Sequence, residues 1–165
     1  MASQDRSGVV TLSVLDRLID GEPKNRSEAM LTPAQSLRAM KIAVRRDLES
    51  LMNTRRILEE APESCKELQH SVYGYGLPDL SSMSLFSTVD QSLMLKAIEA
   101  AIEIYEPRLA RPKVILRPVT EATRTVHFVI EGLLRIDPEP EAVVFDTVLE
   151  LSSGTYQIQG DAGAR

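Results

Sequence analysis

Histidine and cysteine are the side chains that most often do chemistry near neutral pH, and this sequence of 165 residues holds only three of them. They are Cys65, His70 and His127. Zinc sites gather such ligands at short, regular spacings, and no such spacing occurs here. A serine nucleophile needs a sharp strand-turn-helix context, which the sequence does not show either. We therefore predict no metal site, no bound cofactor and no nucleophilic catalytic centre.

Carboxylates are the other candidates for chemistry, because glycoside hydrolysis needs two carboxyl groups about 5–9.5 Å apart across a cleft. Glu99, Glu103 and Glu106 lie close together in sequence. The first two share the polar stripe of a predicted helix, and the third directly precedes a proline. Nothing in the sequence therefore marks two of these glutamates as an acid and base pair facing a cleft. Tryptophan is absent and aromatic residues make up 4% of the chain, which is poor provision for stacking sugars or bases. We predict no catalytic residues.

The composition is typical of one soluble globular domain, with 43% hydrophobic residues and a net charge of -5. That charge argues against a nucleic-acid-binding protein that is basic overall, although it leaves room for a local basic patch. No apolar run reaches the ~18 residues of a membrane span, so we expect no membrane insertion. The first ten residues lack the features of a signal peptide, and a single cysteine is typical of a reducing compartment. We expect a cytoplasmic protein.

The element around which we expect the fold to be built is a helix that begins near Thr88 and ends before Pro107. Thr88 and Gln91 form a possible capping box, and Pro107 disfavours helical backbone at Glu106. The apolar residues cover more than half of the helical wheel, so we expect this helix to be packed on several sides. They are Leu93, Ile98, Ala101, Ile102, Ile104 and Tyr105.

Two further helices are predicted before it. Residues 11–19 form a short amphipathic helix with one apolar side, made of Leu12, Leu15, Leu18 and Ile19. A turn-rich linker over residues 21–32 follows, so this helix docks either on its own domain or on a partner. We divide the chain into an extension (1–31), an α+β domain (32–160) and a disordered tail (161–165).

The second helix begins at the N-cap Thr32 with Pro33 in the first turn, and we expect it to run to about Leu58. Helical spacing would place Arg55 within its apolar stripe, so Arg55 either pairs with a carboxylate or faces a partner. Residues 60–87 are expected to form an irregular packed loop anchored by tyrosines.

The last third of the chain changes to a period of two, which is typical of strands. Four strands are expected near residues 114–116, 126–130, 143–151 and 155–159, joined as an antiparallel meander. Helices followed by such a meander define an α+β fold. The first and last strands would be its edges, and we expect the N–H of Gln157 to point outward from the last one.

Four short motifs occur in a fixed order along residues 12–158, and together they resemble a known family. They are SVLDRL (13–18), RDLESLMNTR (46–55), YGLPDL (75–80) and EPR (106–108). The chain resembles the phage tail baseplate wedge family, which is lysozyme-like by name, and within it the baseplate subunits of type VI secretion systems. It departs from the family's pattern at residues 72–75 (VYGY), where a Leu-Asn pair usually precedes Tyr-Gly.

That resemblance implies a structural subunit of a contractile injection machine, located in the cytoplasm at a baseplate anchored to the inner membrane. Its partners would be other baseplate wedge subunits and the contractile sheath, whose first ring it would template. The family's name alone supports the alternative, a peptidoglycan-cleaving muramidase.

The resemblance also implicates Glu106 and Arg108 in ion pairs at the wedge junction, and we expect the fold to depend on Pro107 more than on either charge. Further partner-binding positions are expected at Arg55, on the first helix and on the last strand. On the last strand the sheath would bind by strand addition. These further positions are Leu15, Leu18, Tyr156 and Ile158.

Overall fold

A computed structural model describes most of the chain. The described residues are 10–19, 31–57, 59, 62, 64–80, 83–84, 86–118 and 125–161. Several sequence-based expectations lie outside them, namely those for the first nine residues, for most of the linker, for Leu58 and for residues 162–165.

The described residues contain three α-helices and two short 3-10 turns. The helices are α1 (Val14–Leu18), α2 (Pro33–Asn53) and α3 (Thr88–Tyr105), and the 3-10 turns are Lys66–His70 and Val72–Gly74. The helix α1 is shorter than predicted, since its N-cap is Ser13. The loop between α2 and α3 therefore has some local order, with Tyr75 stacked edge-on against Tyr105 at 5.3 Å between ring centroids.

The helix α2 begins as predicted but ends earlier. Thr32 caps it through a capping box, in which its hydroxyl accepts from the Gln35 N–H at 3.3 Å. It ends at Asn53 rather than near Leu58, because the next residues pair with Leu77 instead. The Leu77 N–H donates to the Thr54 carbonyl at 2.8 Å, and the Arg56 N–H donates to the Leu77 carbonyl at 2.8 Å.

The helix α3 differs from its prediction at its cap and in its packing. Its N-cap is Ser87, whose hydroxyl accepts from the Asp90 N–H at 3.3 Å, so the predicted capping box of Thr88 and Gln91 is wrong. One face is buried, through Met94, Ile98, Ala101 and Ile102. Leu93 and Ile104 are exposed among the described residues, so the helix is not packed on all sides of its apolar arc.

The sheet has four antiparallel strands in chain order, which confirms the α+β meander with the first and last strands as its edges. The strands are β1 (Leu109–Leu116), β2 (Thr125–Leu134), β3 (Glu141–Glu150) and β4 (Thr155–Asp161). A bulge interrupts β1 between Ala110 and Lys113, where Arg111 has a φ of 52°.

The core lies between one face of this sheet and the two long helices. Alternate residues of the central strands are fully buried, including Phe128 on β2 and Phe145 on β3. The helix α2 packs along β4, and α3 packs along β1. Each long helix therefore runs beside one edge of the sheet, and side chains from the helices can reach the edge backbone.

Candidate functional site

The turn between α3 and β1 holds a buried ion pair formed by Glu106 and Arg108. The Arg108 Nε donates to Glu106 Oε1 at 2.6 Å, and its Nη2 contacts Oε2. The backbone N–H of Arg108 also donates to Glu106 Oε1, at 3.3 Å. Glu106 is only 3% exposed. Pro107 stands between the two residues, so its fixed φ helps to hold this geometry.

The helix α2 contributes further contacts to the ion pair of Glu106 and Arg108. Arg108 Nη2 donates to Asp47 Oδ2 at 2.6 Å. Asp47 also accepts from its sequence neighbour, with Arg46 Nε at 2.9 Å from Oδ1. The EPR turn is thus bound to the start of the RDLESLMNTR motif.

The helix α1 also contacts these residues, through Asp16. Its Oδ1 accepts from Arg46 Nη2 at 2.8 Å, and its Oδ2 lies 3.9 Å from Arg108 Nη1. The Ser13 hydroxyl donates to Asp16 Oδ2 at 2.6 Å. This hydrogen bond, together with Arg46 and Arg108, lowers the pKa of Asp16 against the opposing effect of burial. The Asp16 side chain is 8% exposed.

We call these five residues the charge cluster: Asp16, Arg46, Asp47, Glu106 and Arg108. The hydrogen bonds that Arg108 donates to Glu106 and, to a smaller extent, to Asp47 raise the pKa of Arg108 far above its usual range, although its burial acts in the opposite direction. Each of the three carboxylates contacts a guanidinium. Three of the four sequence motifs therefore meet in one structural joint between α1, α2 and the α3–β1 turn. Sequence reasoning did not single out Asp16, Arg46 or Asp47, although all three stood within the motifs.

The remaining motif, YGLPDL, closes the end of α2. Gly76 has a φ of 111°, and a Cβ there would lie 2.5 Å from the Thr54 carbonyl oxygen. Only glycine allows this approach. The expectation that Arg55 interrupts a helical stripe is wrong, because Arg55 follows the helix and bridges Leu77 through its backbone. Its side chain is exposed and forms no salt bridge with any described residue.

The predicted apolar side of α1 is divided between the core and solvent. Leu12 packs against the core, while Leu15 and Leu18 are 61% and 74% exposed. Asp16 lies on the side of α1 that faces Arg46 and Arg108. The short helix is therefore fixed to the domain by its charge and presents two leucines outward.

Both edges of the sheet are closed at one point by a helix side chain. On β4, the Tyr156 N–H donates to Asn53 Oδ1 and the Tyr156 carbonyl accepts from Asn53 Nδ2, both at 2.8 Å. On β1, the Val114 N–H donates to Glu99 Oε1 at 2.8 Å. Neither Asn53 nor Glu99 was singled out from sequence as an edge contact.

The bonds to Asn53 also fix which groups of β4 point outward. Outward groups alternate along an edge strand, so the backbone of Ile158 points outward like that of Tyr156. The N–H of Gln157 points toward β3, and the expectation that it points outward is wrong. As whole residues, Tyr156 and Ile158 are 6% and 5% exposed, and both side chains belong to the core. A contact at this edge would therefore use their backbone groups and not their side chains.

The described residues hold no group of three or more histidine, cysteine or acidic side chains that could bind a metal ion. Glu99 accepts a hydrogen bond from the Val114 N–H and Glu106 accepts one from Arg108, so two of the three clustered glutamates are already engaged. None of the described helices is long and apolar enough to cross a membrane.

A comparison with models of known protein families gives a match to this chain. The model described as baseplate wedge protein gp25 matches residues 38–139, which is more than half of the chain. The match includes most of α2, all of α3, β1 and β2, and four of the five residues of the charge cluster. Asp16, on α1, and the strands β3 and β4 lie outside it. No curated protein matches the chain.

Proposed function

Because this chain belongs to the baseplate wedge protein gp25 family, we propose that it is the type VI secretion baseplate subunit TssE. The family assignment implies a structural role in a phage-tail-like baseplate and assembly with other baseplate subunits. In our proposal, the protein links the wedge to the first ring of the contractile sheath and nucleates sheath polymerisation. It does so in the cytoplasm, at a baseplate anchored to the inner membrane.

The single observation that carries the sheath contact is the edge strand β4. Strand order leaves β4 with one unpaired side, and Asn53 closes that side only at Tyr156. The outward backbone groups of Ile158 have no partner among the described residues. A strand added there gains main-chain hydrogen bonds, which suits the templating of a repeating sheath lattice.

The wedge contact is assigned to the charge cluster and to α1. Glu106 and Arg108 act by holding the joint in one geometry, with Pro107 between them, since the two charges are already paired within the chain. Arg46 and Asp47 form the more exposed rim of the charge cluster. Leu15 and Leu18 stand next to that rim on α1 and supply apolar contact area.

Arg55 is a further partner contact in this proposal. Its exposed side chain lines a cavity of about 280 Å3, together with Leu151 and Tyr156. The cavity lies next to the beginning of β4, so a partner strand leaving the edge would pass close to Arg55.

The experiment that tests the sheath contact compares Ile158→Pro with Ile158→Val. Proline removes the outward N–H, while valine keeps it at a similar side-chain volume. Fluorescently labelled sheath is counted in cells that carry each variant, and thermal unfolding of each purified protein is recorded. Loss of sheath foci with proline alone, in a folded protein, supports the contact. Normal sheath counts in the proline variant place the contact elsewhere.

No enzymatic role is proposed, since the family is one of structural baseplate proteins. The muramidase alternative is tested with purified peptidoglycan, whose turbidity falls when it is cleaved. Any loss of turbidity that disappears in a Glu103→Gln variant would contradict a purely structural function.

A further inference from the structure

A groove lies between the first half of α2 and the far end of β4. It has a volume of about 350 Å3. We call it the basic groove, and the lining residues that matter here are Leu37, Arg38, Lys41, Ile42, Arg45 and Gly160. The helix and the strand are bound together at Asn53 and Tyr156, at the opposite end of this contact. The groove is therefore the part of the α2–β4 boundary that stays open.

The charge of this groove is unbalanced. Lys41 forms a salt bridge with Glu141 at 2.6 Å. Arg38 and Arg45 form no salt bridge with any described residue, and the Nε of Arg45 is buried without a hydrogen-bond acceptor. Buried donors in native proteins nearly always have a partner. The groove thus offers at least one buried donor and two guanidinium charges to an anionic ligand.

The backbone beside the groove indicates what kind of anion binds. The outward N–H and carbonyl of Ile158 lie on the strand that forms one wall, two residues before Gly160. These groups match the main chain of an extended peptide. A nucleic acid does not use them, and the net charge of -5 opposes a polyanionic duplex.

We propose that the basic groove binds an extended, acidic peptide segment that pairs with β4 at Ile158 and places its carboxylates on Arg38 and Arg45. Side chains of a strand alternate between its two faces, so only every second residue of the segment points at α2. Arg38 and Arg45 are separated by about 10 Å along the helix axis. The acidic residues of the segment are therefore two or four positions apart. Exposed Ile42 and half-buried Leu37 supply apolar contacts between them.

This inference rests on the proposed strand addition and adds the chemistry of the partner. Its test uses the full-length protein and short fluorescent peptides in which glutamate alternates with valine. Anisotropy measures their binding at low and high ionic strength. The reference peptides carry glutamine or lysine in place of glutamate. We expect the glutamate peptide to bind about tenfold or more tightly than the glutamine peptide, with a preference that decreases in high salt.

Variants of the protein locate the contact. Arg38→Glu combined with Arg45→Glu is expected to abolish the preference for glutamate, whereas Arg56→Glu, a charge reversal outside the groove, leaves it unchanged. Gly160 gives a matched pair, because a Cβ added there meets nothing within 4 Å. Gly160→Glu should weaken binding of the glutamate peptide, and Gly160→Lys should not.

Several results would overturn the inference. They are no binding of the glutamate peptide, equal binding of the glutamine peptide, or equal competition by a single-stranded oligonucleotide. Self-association that disappears in the Arg38→Glu, Arg45→Glu protein, without peptide binding, would identify a second copy as the occupant.

The same variants separate this inference from the proposed function. If sheath foci are lost with Ile158→Pro but not with Arg38→Glu combined with Arg45→Glu, the sheath contact at β4 is supported. The proposed preference of the basic groove for an acidic segment is then overturned. If sheath foci are normal in all of these variants while peptide binding depends on Arg38 and Arg45, the basic groove is supported as a peptide site. The sheath contact at β4 is then overturned.

Discussion

Arg108 and Asp47 are 61 positions apart in sequence, and their side chains meet at 2.6 Å. Through this contact the short turn after α3 is bound to the middle of α2. The same guanidinium holds the buried Glu106. Arg108 therefore occupies the centre of the joint rather than its surface.

Arg108→Ala is expected to destabilise the isolated protein. It would leave the Glu106 carboxylate buried without its partner, and breaking a buried ion pair costs about 3 kcal/mol or more. This changes the expectation drawn from sequence, in which the fold depended on Pro107 more than on either charge. Urea unfolding measures the loss of stability.

Arg46→Ala is the matched control for that measurement. Arg46 is more exposed than Arg108 and contacts only the other two acids of the charge cluster, so its loss should cost roughly 1 kcal/mol or less. Equal effects of the two substitutions would contradict a central role for Arg108.

The attachment of α1 should weaken in acid. Because the folded-state pKa of Asp16 is lowered, its contribution is complete above the unfolded value of about 3.9. It is lost as the pH falls through the lower folded-state value. Hydrogen exchange over residues 10–19 follows this attachment. Asp16→Asn should expose the segment at neutral pH, and its difference from the natural protein should shrink in acid. A difference that does not change with pH would contradict the prediction.

The elements of this fold were largely predictable, because their apolar periods of 3.6 and two residues are local properties of the sequence. The end of α2 was not predictable, because the backbone of Thr54 and Arg56 pairs with Leu77, which lies more than twenty positions away in sequence. The charge cluster was only partly predictable. The EPR motif indicated an ion pair, but which acids Arg108 contacts depends on how three separate elements pack.

The closed position on β4 should open when Asn53 is replaced. Asn53→Leu removes both hydrogen bonds to the Tyr156 backbone, which we expect to cost roughly 1–2 kcal/mol. It also frees two outward groups for pairing with another chain. The amide of Tyr156 should then exchange faster, and self-association should increase in sedimentation experiments. Asn53→Asp is the control, because it keeps the acceptor for the Tyr156 N–H. An unchanged Tyr156 exchange rate in Asn53→Leu would contradict the capping role.

Tyr156 should make the fold sensitive to alkali. Burial raises the pKa of Tyr156 to about 12, whereas an exposed tyrosine titrates near 10. The folded state therefore keeps a proton that the unfolded state loses, and stability falls between these two values. The loss amounts to roughly 2–3 kcal/mol. Tyr156→Phe should remove this part of the pH dependence in urea unfolding. If the phenylalanine variant lost as much stability as the natural protein, another group would be responsible.

The two outward leucines of α1 should matter for assembly and not for folding. Leu15 and Leu18 are both more than half exposed, so Leu15→Asp with Leu18→Asp should change the unfolding free energy by less than about 0.5 kcal/mol. In our proposal the same double variant loses its binding to wedge subunits, because buried apolar area is removed from that interface. Co-purification of wedge subunits from cells measures the effect.

Leu12→Asp is the matched control for these leucines, because Leu12 lies on the same short segment but packs against the core. Placing a carboxylate at this partly buried position puts a charge against apolar core side chains, so this variant should lose stability, by roughly 1–3 kcal/mol. The two sets of variants thus separate docking from folding. Full recovery of wedge subunits with the Leu15→Asp, Leu18→Asp protein would show that α1 does not bind the wedge. Strong destabilisation of that protein would show instead that the two leucines belong to the core of the domain.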